Sequence, residues 1–384
     1  MNTLESVKAL CQKRDRRARE LRGEGKKIIG YLSAYLPKEI INAAGCVPYR
    51  ILGDPNEPIT DGDNFLEQAC CPFVRSCFDI GVKGRLDFLD GFVAPHYCHN
   101  IEGVYDIWTY NIKTDFSHFI DVPHTIHPSC HEFLKEELAM FKDKIGEFAG
   151  VAISNQKISE SILQYNENRD LFRQMYELRK QDPPLLSGSE VIEIIVAGSS
   201  MPVEEYSALL KGCIEEATTR TKRPERKGAR VMVMGSGLDN PAFIELIEQC
   251  GANVVIDDLS VGTRGQWHDV EITQDPLDGL ATMYLEKFPC SRNCRSSGLP
   301  PETRQDDLRA RFGHILDFAH DFDVAGVIVY TLRYCDPIQY DVPDIEDYLR
   351  EAGLPVLSVE DDYFMSGQGK LRTMIEAFLE MIER

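Results

Sequence analysis

The 384-residue sequence lacks any apolar run close to the ~20 residues that a membrane-spanning helix needs. Its first 27 residues are charged and contain no apolar stretch typical of a secretory signal, so we expect a cytoplasmic protein that does not enter a membrane. Positive charge is also scarce, since 62 acidic residues against 42 Lys and Arg give a formal net charge of −20. Because phosphate backbones bind basic faces, we expect no nucleic-acid partner.

Nucleotide-binding motifs are missing as well. The sequence has no Gly-x-x-x-x-Gly-Lys-Ser/Thr loop, so we expect no ATP bound to this chain. Gly235-Ser-Gly237 follows a predicted strand, but Asn240 stands where a dinucleotide motif has its third glycine. We therefore interpret this segment as an ordinary strand-to-helix turn and expect no NAD. A Gly-x-Ser-x-Gly elbow, typical of serine hydrolases, is also absent from the sequence.

Apolar runs that alternate with helical patterns predict an α/β protein built on parallel sheets. We expect two Rossmann- or flavodoxin-like domains that face one another across a cleft, preceded by a helical segment. The predicted organisation is an N-terminal helix over 1–30, a first α/β domain with a helical extension over 31–185, and a second α/β domain over 186–384. The clearest linker candidate covers 182–188, with Ser189 as the expected N-cap of the next helix.

Twelve cysteines without an export signal predict reduced thiols, and three of them stand out. Cys98 and Cys335 each end a predicted buried strand, which places them at the carboxyl edge of a parallel sheet, where α/β folds bind ligands. Cys71 precedes Pro72 at a predicted helix start, where the helix dipole favours a thiolate. Three thiolates that converge from two domains predict a metal cluster in the cleft.

Spacing alone leaves three alternatives for these thiols. Structural zinc prefers ligand pairs about two residues apart, whereas Cys71 and Cys77, like Cys290 and Cys294, are spaced more widely. We therefore favour an iron–sulfur cluster over zinc, with no metal as the remaining alternative. Cys70 belongs to the same candidate set, while Cys11, Cys46, Cys130, Cys213 and Cys250 are interpreted as packing residues.

Two further features have both a purely structural and a functional interpretation. His96 and His99 flank Cys98, so each is either a packing residue or a proton donor or substrate contact, and we carry both as catalytic candidates. The stretch from Lys8 to Lys27 holds nine Lys or Arg and three acidic residues. It is either a solvated helix face or the contact surface for an acidic partner.

The sequence resembles the benzoyl-CoA reductase and 2-hydroxyacyl-CoA dehydratase family over nearly its whole length. The segments that carry the resemblance are Tyr31…Leu36-Pro-Lys-Glu-Ile-Ile-Asn-Ala-Ala-Gly45, Cys71-Pro-Phe-Val-Arg75, Cys98, Met201-Pro-Val-Glu-Glu-Tyr206, Arg333-Tyr-Cys335-Asp-Pro337 and Tyr363…Gly369-Lys-Leu-Arg-Thr-Met-Ile-Glu-Ala-Phe-Leu379. The opening and central segments are most similar to the smaller core subunit of benzoyl-CoA reductase.

The resemblance implies a cubane-type 4Fe-4S cluster held by Cys71, Cys98 and Cys335, with one iron left open. It also implies an acyl-CoA substrate, a homologous α/β subunit that completes a heterodimer, and a separate ATP-hydrolysing iron–sulfur activator. The sequence contains more candidate thiols than the three implied ligands. Some relatives hold a double-cubane cluster with more thiolates, and such a cluster would use the extra candidates, which are Cys70, Cys77, Cys290 and Cys294.

The favoured function is the iron–sulfur subunit of an ATP-dependent, dearomatising benzoyl-CoA reductase that reduces an aromatic acyl-CoA in single-electron steps. The first alternative is a subunit of an (R)-2-hydroxyacyl-CoA dehydratase, which works through a ketyl radical. The second is a noncatalytic scaffold that completes the active site of a partner.

Overall fold

The computed structural model describes residues 3–293 and 303–383. Cys294, one of the candidate ligands, lies outside these residues. Within the described part, no helix is both long and apolar enough to cross a membrane.

Two helices and a four-stranded parallel sheet begin the chain. The strands are β1 (Ile28–Tyr31), β2 (Val47–Arg50), β3 (Gly91–Pro95) and β4 (Phe116–Ile120), in the order β2-β1-β3-β4. The helices are α1 (Thr3–Gln12), α2 (Arg14–Gly23), α3 (Lys38–Ala43), α4 (Pro72–Val82), α5 (His99–Asn111), α6 (Pro128–Ala149) and α7 (Asn155–Glu177). The predicted single N-terminal helix is thus two helices that break at Lys13, and the first sheet already begins at Ile28.

The second half repeats this strand order. Its strands are β5 (Ala229–Gly235), β6 (Ala252–Asp258), β7 (Gly326–Leu332) and β8 (Val356–Asp361), all parallel, in the order β6-β5-β7-β8. Its helices are α8 (Gly188–Gly198), α9 (Val203–Thr219), α10 (Pro241–Gln249), α11 (Pro276–Thr282), α12 (Arg304–Asp321), α13 (Asp336–Glu351) and α14 (Gln368–Ile382). The predicted pair of parallel-sheet units is confirmed.

In each sheet the chain reverses direction at one point. It moves from β1 outward to β2 and then returns past β1 to β3, and it does the same from β5 to β6 to β7. Ligands of open α/β sheets bind beyond the carboxyl ends of the strands at such a switch point. The crevices beyond β1 and β3 and beyond β5 and β7 are therefore the expected binding positions.

The end of β5 requires a glycine. Gly235 has a φ of 135°, and a Cβ atom there would lie 1.9 Å from the carbonyl oxygen of Tyr330 on the neighbouring strand. A side chain would push β5 away from β7. This close approach brings the loop after β5 against the carboxyl end of β7.

A single large hydrophobic core runs under both sheets, and a smaller one lies between β1, α6, α7 and α11. The continuous core holds the two sheets in contact. The segment between α7 and α8 is irregular as predicted, but Ser187, not Ser189, is the N-cap of α8, in a capping box with Glu190. The Ser189 hydroxyl instead donates to Glu248 at 2.8 Å.

Four of the nine basic side chains in the N-terminal stretch pair with acidic groups of the chain: Arg16, Arg17, Arg19 and Arg22. Arg17 donates both Nε and Nη2 to Glu205, Arg19 pairs with Asp87, and Arg22 contacts Asp90. These contacts fix α2 against the loop before β3 and against α9. A role of this stretch in binding a partner stays a prediction.

Candidate functional site: a thiol-lined cavity between two sheet edges

One cavity brings together Cys71, Cys98 and Cys335. It contains about 500 Å³ of space between atoms, its open mouth included. Residues that follow strands of both sheets line it: Ser33 after β1, Arg50 at the end of β2, Cys98 after β3, Gly237 after β5, Ser260 after β6 and Cys335 after β7. The cavity therefore lies at both switch points, which is where the topology predicts a ligand.

Each of the three cysteines is the N-cap of a helix: Cys71 of α4, Cys98 of α5 and Cys335 of α13. This was predicted for Cys71 alone. Cys98 and Cys335 were expected to end their strands, but β3 ends at Pro95 and β7 at Leu332, so each thiol lies three residues further along, at the start of the next helix. Three helix N-termini consequently surround the cavity, and their partial positive charge favours anionic sulfur.

The backbone next to the site is strained at two positions. Ser33 has a φ of 72° and Tyr334 a φ of 62°, values in the left-handed region that non-glycine residues rarely adopt. Tyr334 precedes Cys335 and accepts a hydrogen bond from the Asn100 side chain at 3.1 Å through its carbonyl. This bond joins α5 of the first half to the loop before α13 of the second, and such strain is typical of functional sites.

Cys71 and Cys335 form a hydrogen-bonded pair with unequal acidity. The bond from the Cys71 thiol, together with the Ser236 hydroxyl and the Ile338 amide, lowers the pKa of Cys335 to about 7 against the opposing effect of burial. The same bond, together with burial, raises the pKa of Cys71 well above its usual value. Negative charge on the pair is thus favoured on Cys335, although the helix start had led us to expect it on Cys71.

Cys98 is held in its neutral form. Burial raises the pKa of its thiol to about 12, against the opposing effect of amides at the start of α5. A cation placed in the cavity would reverse this preference, because thiols lose their protons when they bind a metal. Cys335 is therefore the most acidic of the three thiols.

Of the remaining candidate cysteines, the three that the structure describes do not line the cavity. Cys70 lies beside Cys71 and is partly exposed, and Cys77 is buried on α4 with its thiol 4.0 Å from the Ile51 carbonyl. Cys290 donates to the hydroxyl of Tyr97 at 3.6 Å, and Tyr97 itself lines the cavity. Cys290 thus contacts the cavity lining through Tyr97 and does not itself line the cavity.

The two candidate histidines lie near the cavity but do not line it. The His96 imidazole contacts Asp121 at 2.9 Å through Nδ1 and approaches His124 at 3.4 Å through Nε2. His99 is almost fully exposed at the start of α5. His96 therefore contacts a carboxylate, and His99 faces solvent. The catalytic role of both histidines stays a prediction.

Among the described residues, no group of three or more His, Cys, Asp or Glu side chains is arranged to hold a single metal ion. A closed structural zinc site needs four such ligands around one ion. Thiols spread around a cavity are the donor type that iron–sulfur clusters use, and a cluster is larger than a single ion.

The family model described as 2-hydroxyglutaryl-CoA dehydratase, D-component, matches residues 33–382. The chain belongs to this family. Among its relatives, a benzoyl-CoA reductase subunit of Thauera aromatica is 28% identical over 87% of this chain and 85% of its own length. The (R)-phenyllactyl-CoA dehydratase beta subunit of Clostridium sporogenes is 23% identical, over 93% of this chain and 92% of its own length. The (R)-2-hydroxyglutaryl-CoA dehydratase beta subunit of Acidaminococcus fermentans is 24% identical, over 94% of each chain.

Membership of this family confirms the resemblance drawn from the sequence. The named relatives are subunits of reductases and of dehydratases, so the chain is an enzyme subunit of one of these two kinds. The reductase and dehydratase relatives all have low sequence identity to this chain, so the identities do not decide between the two kinds of subunit.

Sequence reasoning missed several polar residues at the site. Arg50 is buried and donates to the carbonyl and hydroxyl oxygens of Ser260, yet its Nε has no hydrogen-bond partner among the described residues. Ser236 bridges the Leu332 amide, from which it accepts at 3.0 Å, and the Cys335 thiol. A signal was available for Ser236, because it lies just beyond the end of a predicted strand.

A buried carboxyl group lies behind the thiols. Asp239 accepts hydrogen bonds from the Tyr363 hydroxyl at 3.1 and 3.2 Å. Burial raises its pKa to about 6, against the attraction of Arg14 and the bond from Tyr363. This carboxyl was not among the candidates from the sequence.

Proposed function

We propose that the chain is the iron–sulfur subunit of an ATP-dependent benzoyl-CoA reductase, with a 4Fe-4S cluster held by Cys71, Cys98 and Cys335. The observation that carries the proposal is the convergence of these three thiols, each at a helix N-terminus, on one cavity. The family and the 28% identity to a benzoyl-CoA reductase subunit support it.

The bound cluster would supply single electrons at low potential to an aromatic acyl thioester. The chain contributes the environment of that chemistry. Phe73, Val74, Ile101 and Pro337 form the apolar part of the lining and keep water away from the thiols. The Ser236 hydroxyl orients Cys335 and stabilises its negative charge through a hydrogen bond.

A dehydratase subunit is the second candidate. The family model bears the name of a dehydratase component, and two of the named relatives are dehydratase beta subunits. The same thiol cavity would serve either reaction, because both activate an acyl thioester by transfer of a single electron. Under both proposals the chain works with a homologous subunit and an ATP-hydrolysing activator.

Metal analysis of variants tests the proposed ligands. Purified without oxygen, the parent chain should contain iron and acid-labile sulfide, and Cys98→Ser or Cys335→Ser should remove most of both. Cys213→Ser is the matched control, because this thiol is buried in α9 and does not line the cavity. Stoichiometric zinc without iron, or full iron in both ligand variants, would refute the assignment.

The nuclearity of the cluster can be tested in the same preparations. A double-cubane cluster would give about twice the iron of a single cubane, and Cys290→Ser should then lower it sharply. Unchanged iron in Cys290→Ser and Cys77→Ser would leave Cys71, Cys98 and Cys335 as the proposed ligand set.

Substrate assays separate the two candidate functions. The chain, its homologous subunit, the activator, ATP and a reductant are supplied either with benzoyl-CoA or with a 2-hydroxyacyl-CoA. Formation of a dearomatised product supports the reductase, and formation of an enoyl-CoA supports the dehydratase. Turnover by this chain alone with NADH would contradict both.

A further inference from the structure

A second cavity adjoins the thiol cavity. It contains about 680 Å³ of space between atoms, its mouth included, and is formed by the ends of β1 and β2, the start of α3, the loop between α8 and α9, and the loop after β6. Arg50 and Ser260 line both cavities and form the wall between them. Nothing in the proposed function uses this second cavity.

Two cations face this cavity, and neither is paired with a carboxylate in the described part of the chain. Arg50 is only 8% exposed, and its guanidinium donates only to neutral oxygens of Ser260, with Nε left unsatisfied. The Lys38 ammonium lies 5.2 Å from the centre of the Tyr165 ring. A buried cation without an anion is costly, so an acceptor for these groups would be strongly stabilised.

The carboxylate that follows Lys38 in the chain does not neutralise it. Glu39 is fully buried and is already bound by the Arg169 guanidinium and by the Tyr284 hydroxyl. Counting Lys38, Arg50 and Arg169 against Glu39 and against Asp239, whose attraction acts on Arg50, leaves one excess positive charge when both carboxyl groups are ionised. Burial and the repulsion of Arg169 accordingly lower the pKa of Lys38 to about 8.

The rest of the lining is mainly apolar. Leu36, Leu52, Met201 and Val203 surround the space beyond the two cations. These apolar walls suit the body of an organic ligand, and the lining adds polar groups from Tyr31, Tyr165, Ser199, Tyr206 and Gln266. The geometry points to a small organic carboxylate as ligand, with its anionic group on Lys38 and Arg50 and its body against the apolar walls.

Isothermal titration calorimetry of the full chain with sodium benzoate tests this site, with sodium phosphate as the competing anion. We expect saturable benzoate binding that Lys38→Met weakens about tenfold or more, because a charged hydrogen bond is lost. Lys38→Arg, which keeps the charge, should retain binding. Lys211→Met is the matched control, because Lys211 pairs with Glu167 on the surface.

The same titration on Cys98→Ser separates this site from the thiol cavity. That variant should still bind benzoate, because the proposed carboxylate site needs no cluster, so failure of the proposed function would leave this result unchanged. Absence of saturable benzoate binding to the folded parent would overturn the inference. Binding that survives Lys38→Met, is lost in Cys98→Ser, or is matched by phosphate would overturn it as well.

Discussion

Replacement of Asp239 by Asn should stabilise the protein at neutral pH. The Asp239 carboxyl is 7% exposed and forms no ion pair within the described residues. Its pKa is raised to about 6 mainly by burial. The folded chain therefore holds this proton more tightly than the unfolded chain, and the stability that the proton confers is lost as the pH rises through about 6.

The magnitude follows from the shift of the pKa from 3.8 to about 6. At 1.36 kcal/mol per pKa unit, ionisation of Asp239 costs the folded state about 3 kcal/mol near pH 7.5 and about 1.5 kcal/mol near pH 5. Asn keeps an oxygen that accepts from the Tyr363 hydroxyl and carries no charge. Asp239→Asn should thus exceed the parent in free energy of unfolding by these amounts.

Urea unfolding of both proteins at the two pH values, followed by tryptophan fluorescence, measures the difference. The exposed Asp106 provides the control, since Asp106→Asn should show no gain that depends on pH. A lower stability of Asp239→Asn near pH 7.5 would refute the reasoning, because the attraction of Arg14 would then outweigh burial.

Three further substitutions, one of them with a matched control, test the packing that positions the site, each by the change in the free energy of unfolding. Glu39→Gln should cost about 3–5 kcal/mol, because it leaves a buried guanidinium without its anion, and a cost below that of a surface pair would contradict this. Gly235→Ala should cost more than about 2 kcal/mol through its clash with β7, whereas Gly103→Ala, in open space on α5, should stabilise by about 0.5–1 kcal/mol. Arg17→Glu should cost about 1 kcal/mol through loss of its partly exposed pair with Glu205, and no change would show that α2 is held by packing alone.

The elements that the sequence predicted well are those with a strong local pattern. The runs that form β5 and β7 are rich in Val, Ile and Met, and their period and length are typical of buried parallel strands. The rule that ligands gather at the carboxyl edge then brought Cys98 and Cys335 to one site without any knowledge of their contacts.

What the sequence did not predict depends on partners far along the chain. The contact between Arg50 and Ser260 joins residues 210 positions apart, and no local pattern indicates it. The acidity of Cys335 likewise depends on Cys71 and Ser236, which come from other elements. Local rules also failed to predict which serine is the N-cap of α8. Glu248 accepts a hydrogen bond from the Ser189 hydroxyl, and Ser187 is the N-cap instead.

The equivalent positions of Cys98 and Cys335 have a consequence for the origin of the site. Each is the N-cap of the helix that follows the third strand of its sheet, and the two sheets share one strand order. Fusion of two copies of a single ancestral unit would produce this arrangement, with one thiol inherited by each copy. Cys71, on α4 of the first copy only, breaks the symmetry between them. In such a lineage Cys71 would be the later addition. It would make an originally symmetric site asymmetric, with different surroundings on its two sides.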